Sequence, residues 1–199
     1  MTTTFHLVRH AAHDRVGSVL CGRMPGVSLG ELGREQAQRL SRRFANDSIA
    51  AVQSSPLERA RETAELIAAR LGQSVAINEG ITEIDFGAWS GRGFGDLDGD
   101  PAWTAWNGAR SVSRPPGGES MLEAQARIVR ALEVLRQSHR DGAVVLVSHS
   151  DVIKAALLYH LGLSLDAYPR IEIEPASVST LVVGDWGAKV MRLNEVVAA

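Results

Sequence analysis

Only one cysteine, Cys21, occurs in the 199 residues, so no disulfide can close within the chain. That usage fits a reducing compartment. Charge of one sign is equally scarce. The formal net charge is −2, and no stretch gathers Lys or Arg without matching acids. A nucleic-acid binder would carry a basic face, so that class is excluded. No apolar run reaches the roughly 18 residues a membrane helix needs, and the first residues lack the basic start and apolar core of a secretion signal. A cytoplasmic protein with neither nucleic-acid nor membrane partners is the expectation. Internal repeats and linkers are missing too, which argues for one domain over residues 1–199.

What remains is ordinary globular material, 45% apolar and 22% charged, which sets aside disorder, collagen and coiled coil. A chain this long buries enough apolar surface to fold without disulfides or metals.

Apolar patterning alternates between strand and helix. Strands are expected at Phe5–Val8, Ile49–Gln53, Ser74–Ile77, Ala143–Val147, Val178–Val183 and Lys189–Leu193. Helices are expected at Glu31–Phe44, from Ser55 to Leu71, at Glu119–His139 and at Asp151–Leu161. For the second helix, Ser55 is the expected N-cap, Pro56 the first helical residue and Gly72 the stop. Residues 79–118 are irregular, with one short helix near Ala102–Trp106, as in a lid-like insertion over a functional face. The alternation implies an α/β three-layer sandwich, a mostly parallel central sheet flanked by helices. Ligands of such sheets bind beyond the strands' carboxyl ends. His10 and His149 each follow an apolar strand there, so this topology brings them to one edge.

Four blocks carry the chemistry: Leu7-Val8-Arg9-His10, Ser54-Ser55-Pro56-Leu57-Glu58-Arg59-Ala60, Glu83-Ile84-Asp85-Phe86-Gly87 and Val147-Ser148-His149-Ser150. In this order, each beside a strand or helix, they resemble the histidine phosphatase superfamily, the phosphoglycerate mutase-like proteins. The resemblance covers essentially the whole chain. It implies that His10 is the nucleophile and carries the phosphoryl group, that Arg9 and Arg59 clamp the phosphate, and that His149 donates to it. Glu83 then protonates the leaving oxygen and activates water, while Ser150 at the start of the next helix adds donors. These types suit phosphoryl transfer. Neutral imidazole is a nucleophile at pH 7, guanidinium groups grip phosphate oxygens in pairs, and a carboxyl acting as an acid needs a raised pKa.

The sequence departs from the family at Ala11, where glycine is usual, and at His13 and Val16, where a hydroxyl residue and an asparagine often reach the phosphate. His13 is expected to take over one of those contacts. Gly22-Arg23-Met24-Pro25-Gly26 resembles a stretch bordering the pocket, which makes Arg23 a candidate substrate contact. Trp89 is another, as part of a lid selecting an apolar or aromatic group, whereas Trp103 and Trp106 read as packing. Pro116-Gly117-Gly118-Glu119-Ser120 also resembles a family stretch, which would bring Glu119 and Ser120 near the pocket; capping the long helix explains it as well.

His6, His10, His13 and Asp14 form a tempting metal cluster. His6 sits within a strand, and the arginines already supply the charge, so no metal and no cofactor are expected. The reading is a phosphatase branch member acting on a small phosphorylated metabolite, as a monomer or homodimer. The alternatives are mutase-type transfer and a non-catalytic phosphate-binding protein.

Overall fold

The computed structural model describes residues 1–197. Six strands make one sheet: β1 (Thr2–Arg9), β2 (Ala51–Ser54), β3 (Val75–Ile77), β4 (Ala143–Ser148), β5 (Ser177–Gly184) and β6 (Gly187–Val196), in the order β3-β2-β4-β1-β5-β6. The first four neighbours run parallel, β5 is antiparallel to β1, and β6 is antiparallel to β5. The sheet is thus mostly parallel, as expected for an α/β fold.

Side-chain alternation divides the core in two. Phe5, Leu7, Val144 and Leu146 face one way, toward α5 (Met121–Ser138) and α6 (Ser150–His160). Val8, Val145 and Val147 face the other way, toward α1 (Glu31–Arg43) and α2 (Glu58–Leu71). Strands buried on both faces read as continuous apolar runs, which explains why Ala143–Val147 was plain in the sequence. No helix among the described residues is long and apolar enough to cross a membrane.

Most boundaries shift by a few residues, and two of the shifts bear on the site. The second strand lies at Ala51–Ser54 rather than Ile49–Gln53. Its helix starts at Glu58 with Leu57 as N-cap, so Ser55 and Pro56 stay in the connecting loop. The stop at Gly72 is as expected, with a left-handed φ of 66°.

Segment 79–118 contains two 3-10 turns, Glu79–Ile81 and Gly87–Trp89, and two helices, α3 (Phe94–Leu97) and α4 (Pro101–Gly108). It is laced to the rest by backbone contacts. The Leu20 amide donates to Arg92 O at 2.9 Å, and the Gly91 amide donates to Leu20 O at 2.8 Å. The Glu119 amide donates to Asp85 O at 2.7 Å and the Ala88 amide to Pro116 O at 2.9 Å. A Cβ on Gly87 would lie 2.2 Å from Pro116 O, so only glycine lets these two stretches meet. That contact braces the Glu83 block against the start of α5.

Candidate active site

Parallel pairing of β1 with β4 sets Arg9 opposite Ser148. The residues that follow, His10 and His149, therefore leave the sheet side by side, with ring centroids 5.1 Å apart. Beyond β2, the Ser55 amide still donates to Val147 O, at 3.0 Å. This brings the start of α2, and with it Arg59, to the same edge. Three stretches distant in sequence thus meet through strand order.

His10 is 3% exposed. Its Nδ1 lies 2.8 Å from Ala11 O. A carbonyl only accepts, so the ring proton sits on Nδ1 and Nε2 keeps its lone pair. Arg59 Nε donates to that Nε2 at 3.3 Å. Burial, then the charges of Arg59 and Arg9, hold the His10 pKa well below its usual value. The imidazole is therefore neutral at pH 7. Ala11 is fully buried, gives its amide to Thr63 Oγ1 at 3.1 Å, and is not among the positive-φ residues. Alanine therefore serves where glycine is usual.

Arg59 Nη2 donates to Gly22 O at 2.7 Å, while its buried Nη1 has no partner in the protein. Arg9 Nη1 donates to Ile173 O at 2.6 Å, and its Nε is likewise unpartnered. Two cations thus keep buried donors free beside a neutral histidine, an arrangement that favours an anion. Ser150 gives its hydroxyl to the same Ile173 O, at 3.4 Å, and opens α6 at the cavity wall.

His149 is fully buried, and its Nε2 lies 2.8 Å from Ser55 Oγ. Ser55 Oγ also accepts the Leu57 amide, at 3.4 Å. Oγ can donate to Nε2 or accept from it, so the position of the ring proton is set by what faces Nδ1. That Nδ1 lies 3.4 Å from Arg59 Nη2 and 3.8 Å from Glu83 Oε2, so it faces the cluster. Burial, with Arg59 next, pushes the His149 pKa well down. Ser55 had been read as a helix cap. Its role in orienting His149 has no local sequence signal, because the contact depends on strand pairing. Ser55→Ala is expected to lower kcat about ten- to a hundredfold, the usual loss when a ring loses its orienting partner. KM should change little in steady-state kinetics.

Glu83 takes the Ile84 amide on Oε1 at 2.9 Å. Burial pushes its carboxyl up to about 7, with the Asp151 charge adding and the Arg59 charge opposing. It is poised to give or take a proton near neutrality. Burial also pushes the Cys21 thiol up, which makes it a poor nucleophile.

The outer site departs from the sequence reading in part. His13 stacks on His10 at 5.5 Å, and burial with the arginine charges lowers its pKa to about 4. Its Nδ1 accepts the Arg15 amide at 3.3 Å, so a proton remains on Nε2 as a donor. Arg23 does not line the cavity. Its Nε donates to Glu83 O at 2.7 Å, and Nη2 pairs with Glu119 at 2.9 Å. Glu119 in turn pairs with Arg127 at 2.7 Å. Both Arg23 and Glu119 therefore brace Glu83 from behind. Ser120 caps α5 in a reciprocal box with Glu123. Trp89 is a correction. It is 1% exposed, packed in the core against Trp103 and Trp106, and Trp103 is the tryptophan that lines the cavity. His6 points away from the site, edge-on to Phe44 at 5.4 Å.

The cavity at this edge measures about 280 Å³ and also takes in Arg110, Asp151 and Asn107, of which Asn107 was missed in the sequence reading. Arg110 stacks over Trp106 at 4.2 Å and Tyr168 at 3.9 Å and pairs with Asp151 at 3.0 Å.

Comparison with known proteins agrees with this geometry. The family model described as the histidine phosphatase superfamily (branch 1) matches residues 5–196. An uncharacterized protein of Mycobacterium tuberculosis is 34% identical over 90% of both chains. Phosphoserine phosphatase 1 of Hydrogenobacter thermophilus is 30% identical over 94% of this chain and 90% of its own. The mycobacterial glucosyl-3-phosphoglycerate phosphatase superposes with a TM-score of 0.88 at 28% identity, covering 98% of this chain and 100% of that one. With the family model spanning nearly all of the sheet and its edge, the chain belongs to the histidine phosphatase superfamily.

Proposed function

We propose that this protein is a phosphomonoester hydrolase that works through a phosphohistidine at His10 on a small phosphorylated metabolite. One observation carries the reading: an unprotonated His10 Nε2 facing Arg59 and under the charge of Arg9, with a carboxyl raised to about 7 in the same cluster. Two similar proteins, named as phosphatases of phosphoserine and of glucosyl-3-phosphoglycerate, support hydrolysis as the reaction.

His10 Nε2 attacks phosphorus and the P–O bond to the alcohol breaks, so Nε2 carries the phosphoryl group. Glu83 gives its proton to the departing oxygen. Arg9, Arg59 and His149 Nδ1–H hold the equatorial oxygens, and Ser150 at the start of α6 adds its amide. His13 Nε2–H is a further donor. The Glu83 carboxylate then takes a proton from water, whose oxygen attacks phosphorus as the P–N bond breaks. Inorganic phosphate leaves, and Glu83 is protonated again for the next cycle.

Two guanidinium groups supply the positive charge that a metal provides in other phosphatases, so the reaction is read as metal-independent. Rapid alkaline quenching of a turnover mixture containing excess chelator tests both points. An alkali-stable, acid-labile phosphoryl label on His10, formed and lost at the rate of phosphate release, is the expected result. No label, or turnover abolished by chelator, would overturn the mechanism. A label handed to a second alcohol rather than to water would mark a mutase.

A further inference from the structure

The cavity has two unlike halves. Around His10 it is lined by cations and donors, as described above. Farther out its walls are Val16, Val19, Leu20, Phe86, Phe94 and Trp103. These come from two sides, the loop after β1 and the 79–118 segment, joined by the Val19–Gly93 bridge and by the Phe94 amide donating to Ser18 O at 3.1 Å. Phe94 and Trp103 pack ring to ring at 6.2 Å, and Trp103 is edge-on to Trp89 at 5.3 Å. The aromatic wall is therefore backed by the core rather than hung on a free loop.

The polar groups of this outer half, Asn107 and Arg110, bond to one another and to their neighbours, with Arg110 Nε left without a partner in the protein. Asn107 Oδ1 accepts from Arg110 Nη2 at 3.1 Å and from the Tyr168 hydroxyl at 3.0 Å, while Asn107 Nδ2 donates to Trp103 O at 3.0 Å. Arg110 is the only cationic lining residue away from Arg9 and Arg59, and its charge is matched by Asp151 at 3.0 Å. His13 is neutral at pH 7, its pKa lowered to about 4. Arg23, behind Glu83, is taken up by Glu119, and Arg15, whose charge reaches His13 and Cys21, is exposed and does not line the cavity.

A substrate with a carboxylate next to its phosphate would find no spare cation in this half, and would have to leave water for an apolar wall. An apolar or aromatic body would gain by burial and by stacking on Trp103 and Phe94. We infer that, given the phosphatase reading above, the preferred substrates are phosphate monoesters of uncharged alcohols with an apolar or aromatic body. Small anionic metabolites such as phosphoserine or phosphoglycerate are then disfavoured.

The test compares kcat/KM for 2-phenylethyl phosphate, ethyl phosphate, phosphoserine and 3-phosphoglycerate. All four are esters of aliphatic alcohols, so the comparison reads recognition of the body more than leaving-group chemistry. Phenylethyl phosphate is expected to exceed phosphoserine by about ten- to a hundredfold, the usual range for pocket discrimination. Trp103→Ala and, independently, Phe94→Ala should each reduce the ratio of phenylethyl to ethyl phosphate. Equal or better use of phosphoserine, or ratios unmoved in both variants, would overturn the inference. Binding of the matching phosphonates to His10→Ala separates this from the reaction itself. A preference for the phenylethyl phosphonate in His10→Ala, together with a wild type that turns over none of the four esters, would sink the hydrolase reading and keep the substrate class. No preference would sink the class.

Discussion

His10→Ala is expected to lower kcat by on the order of 10⁴–10⁶-fold, the loss seen when a covalent nucleophile is removed. No neighbour can stand in for it. Burial pushes the Cys21 thiol up and keeps it protonated. His149 Nε2 is occupied by Ser55 Oγ at 2.8 Å. His13 lies stacked on the face of His10, with ring centroids 5.5 Å and planes 26° apart. Binding should survive, because Arg9 and Arg59 stay in place and the small side chain leaves room for phosphate. Inhibition of wild-type turnover by inorganic phosphate, set against direct phosphate binding by the variant, separates the two effects. The fold is followed by far-ultraviolet circular dichroism. Turnover within about tenfold of wild type would remove His10 from the reaction and the phosphohistidine with it.

Glu83→Gln carries the second large effect. Loss of a positioned general acid costs about 10²–10⁴-fold, and the loss should depend on the leaving group. An alkyl phosphate needs the proton and should show the full penalty. p-Nitrophenyl phosphate leaves as a stable anion and should show much less in its first step. The pH dependence has a definite sign. Glu83 must be protonated to act as acid, and its carboxyl is raised to about 7, so kcat/KM for an alkyl ester should fall as pH rises past about 7. His10, lowered well below its usual range, stays neutral across that window and adds no limb there. In Glu83→Gln this alkaline limb should vanish. A limb that persists, or an equal penalty for both esters, would assign the proton to another group.

The same variant reports on stability. A carboxyl whose folded pKa lies above its unfolded value favours folding below the unfolded pKa, and that contribution is lost as pH rises through the folded pKa. Wild type at pH 8 therefore holds a buried charge that glutamine removes. Glu83→Gln should unfold at higher temperature than wild type at pH 8, by roughly 2–4 °C for each kcal/mol gained, and show little gain at pH 5.

Much of this was legible in the residues. Arg9, His10, Arg59, Glu83 and His149 were all named from four short blocks, through the resemblance of those blocks to the histidine phosphatase superfamily. The layer order followed from apolar runs such as Ala143–Val147, which only a strand buried on both faces requires. The helix start after Ser55 was misplaced. Ser and Pro are favoured at a helix start, but here the loop is held by strand pairing, the Ser55 amide on Val147 O, and the serine hydroxyl is drawn to His149. Trp89 was likewise misassigned, since one indole cannot be told from another until packing decides which is covered.

Local pattern by itself determined the α/β class, because that depends on periodicity, and the resemblance of four short blocks to the histidine phosphatase superfamily singled out the candidate phosphate-site residues. Tertiary structure alone decided which atoms face one another. It set the free Nε2 of His10, the Ser55 partner of His149, and the raised Glu83 carboxyl, whose pKa depends on burial and on the Asp151 charge. It also decided that Arg110 is neutralised by Asp151 beside an aromatic wall. Burial, proton position and charge compensation are properties of side chains brought together from distant parts of the chain, and no stretch of sequence carries them.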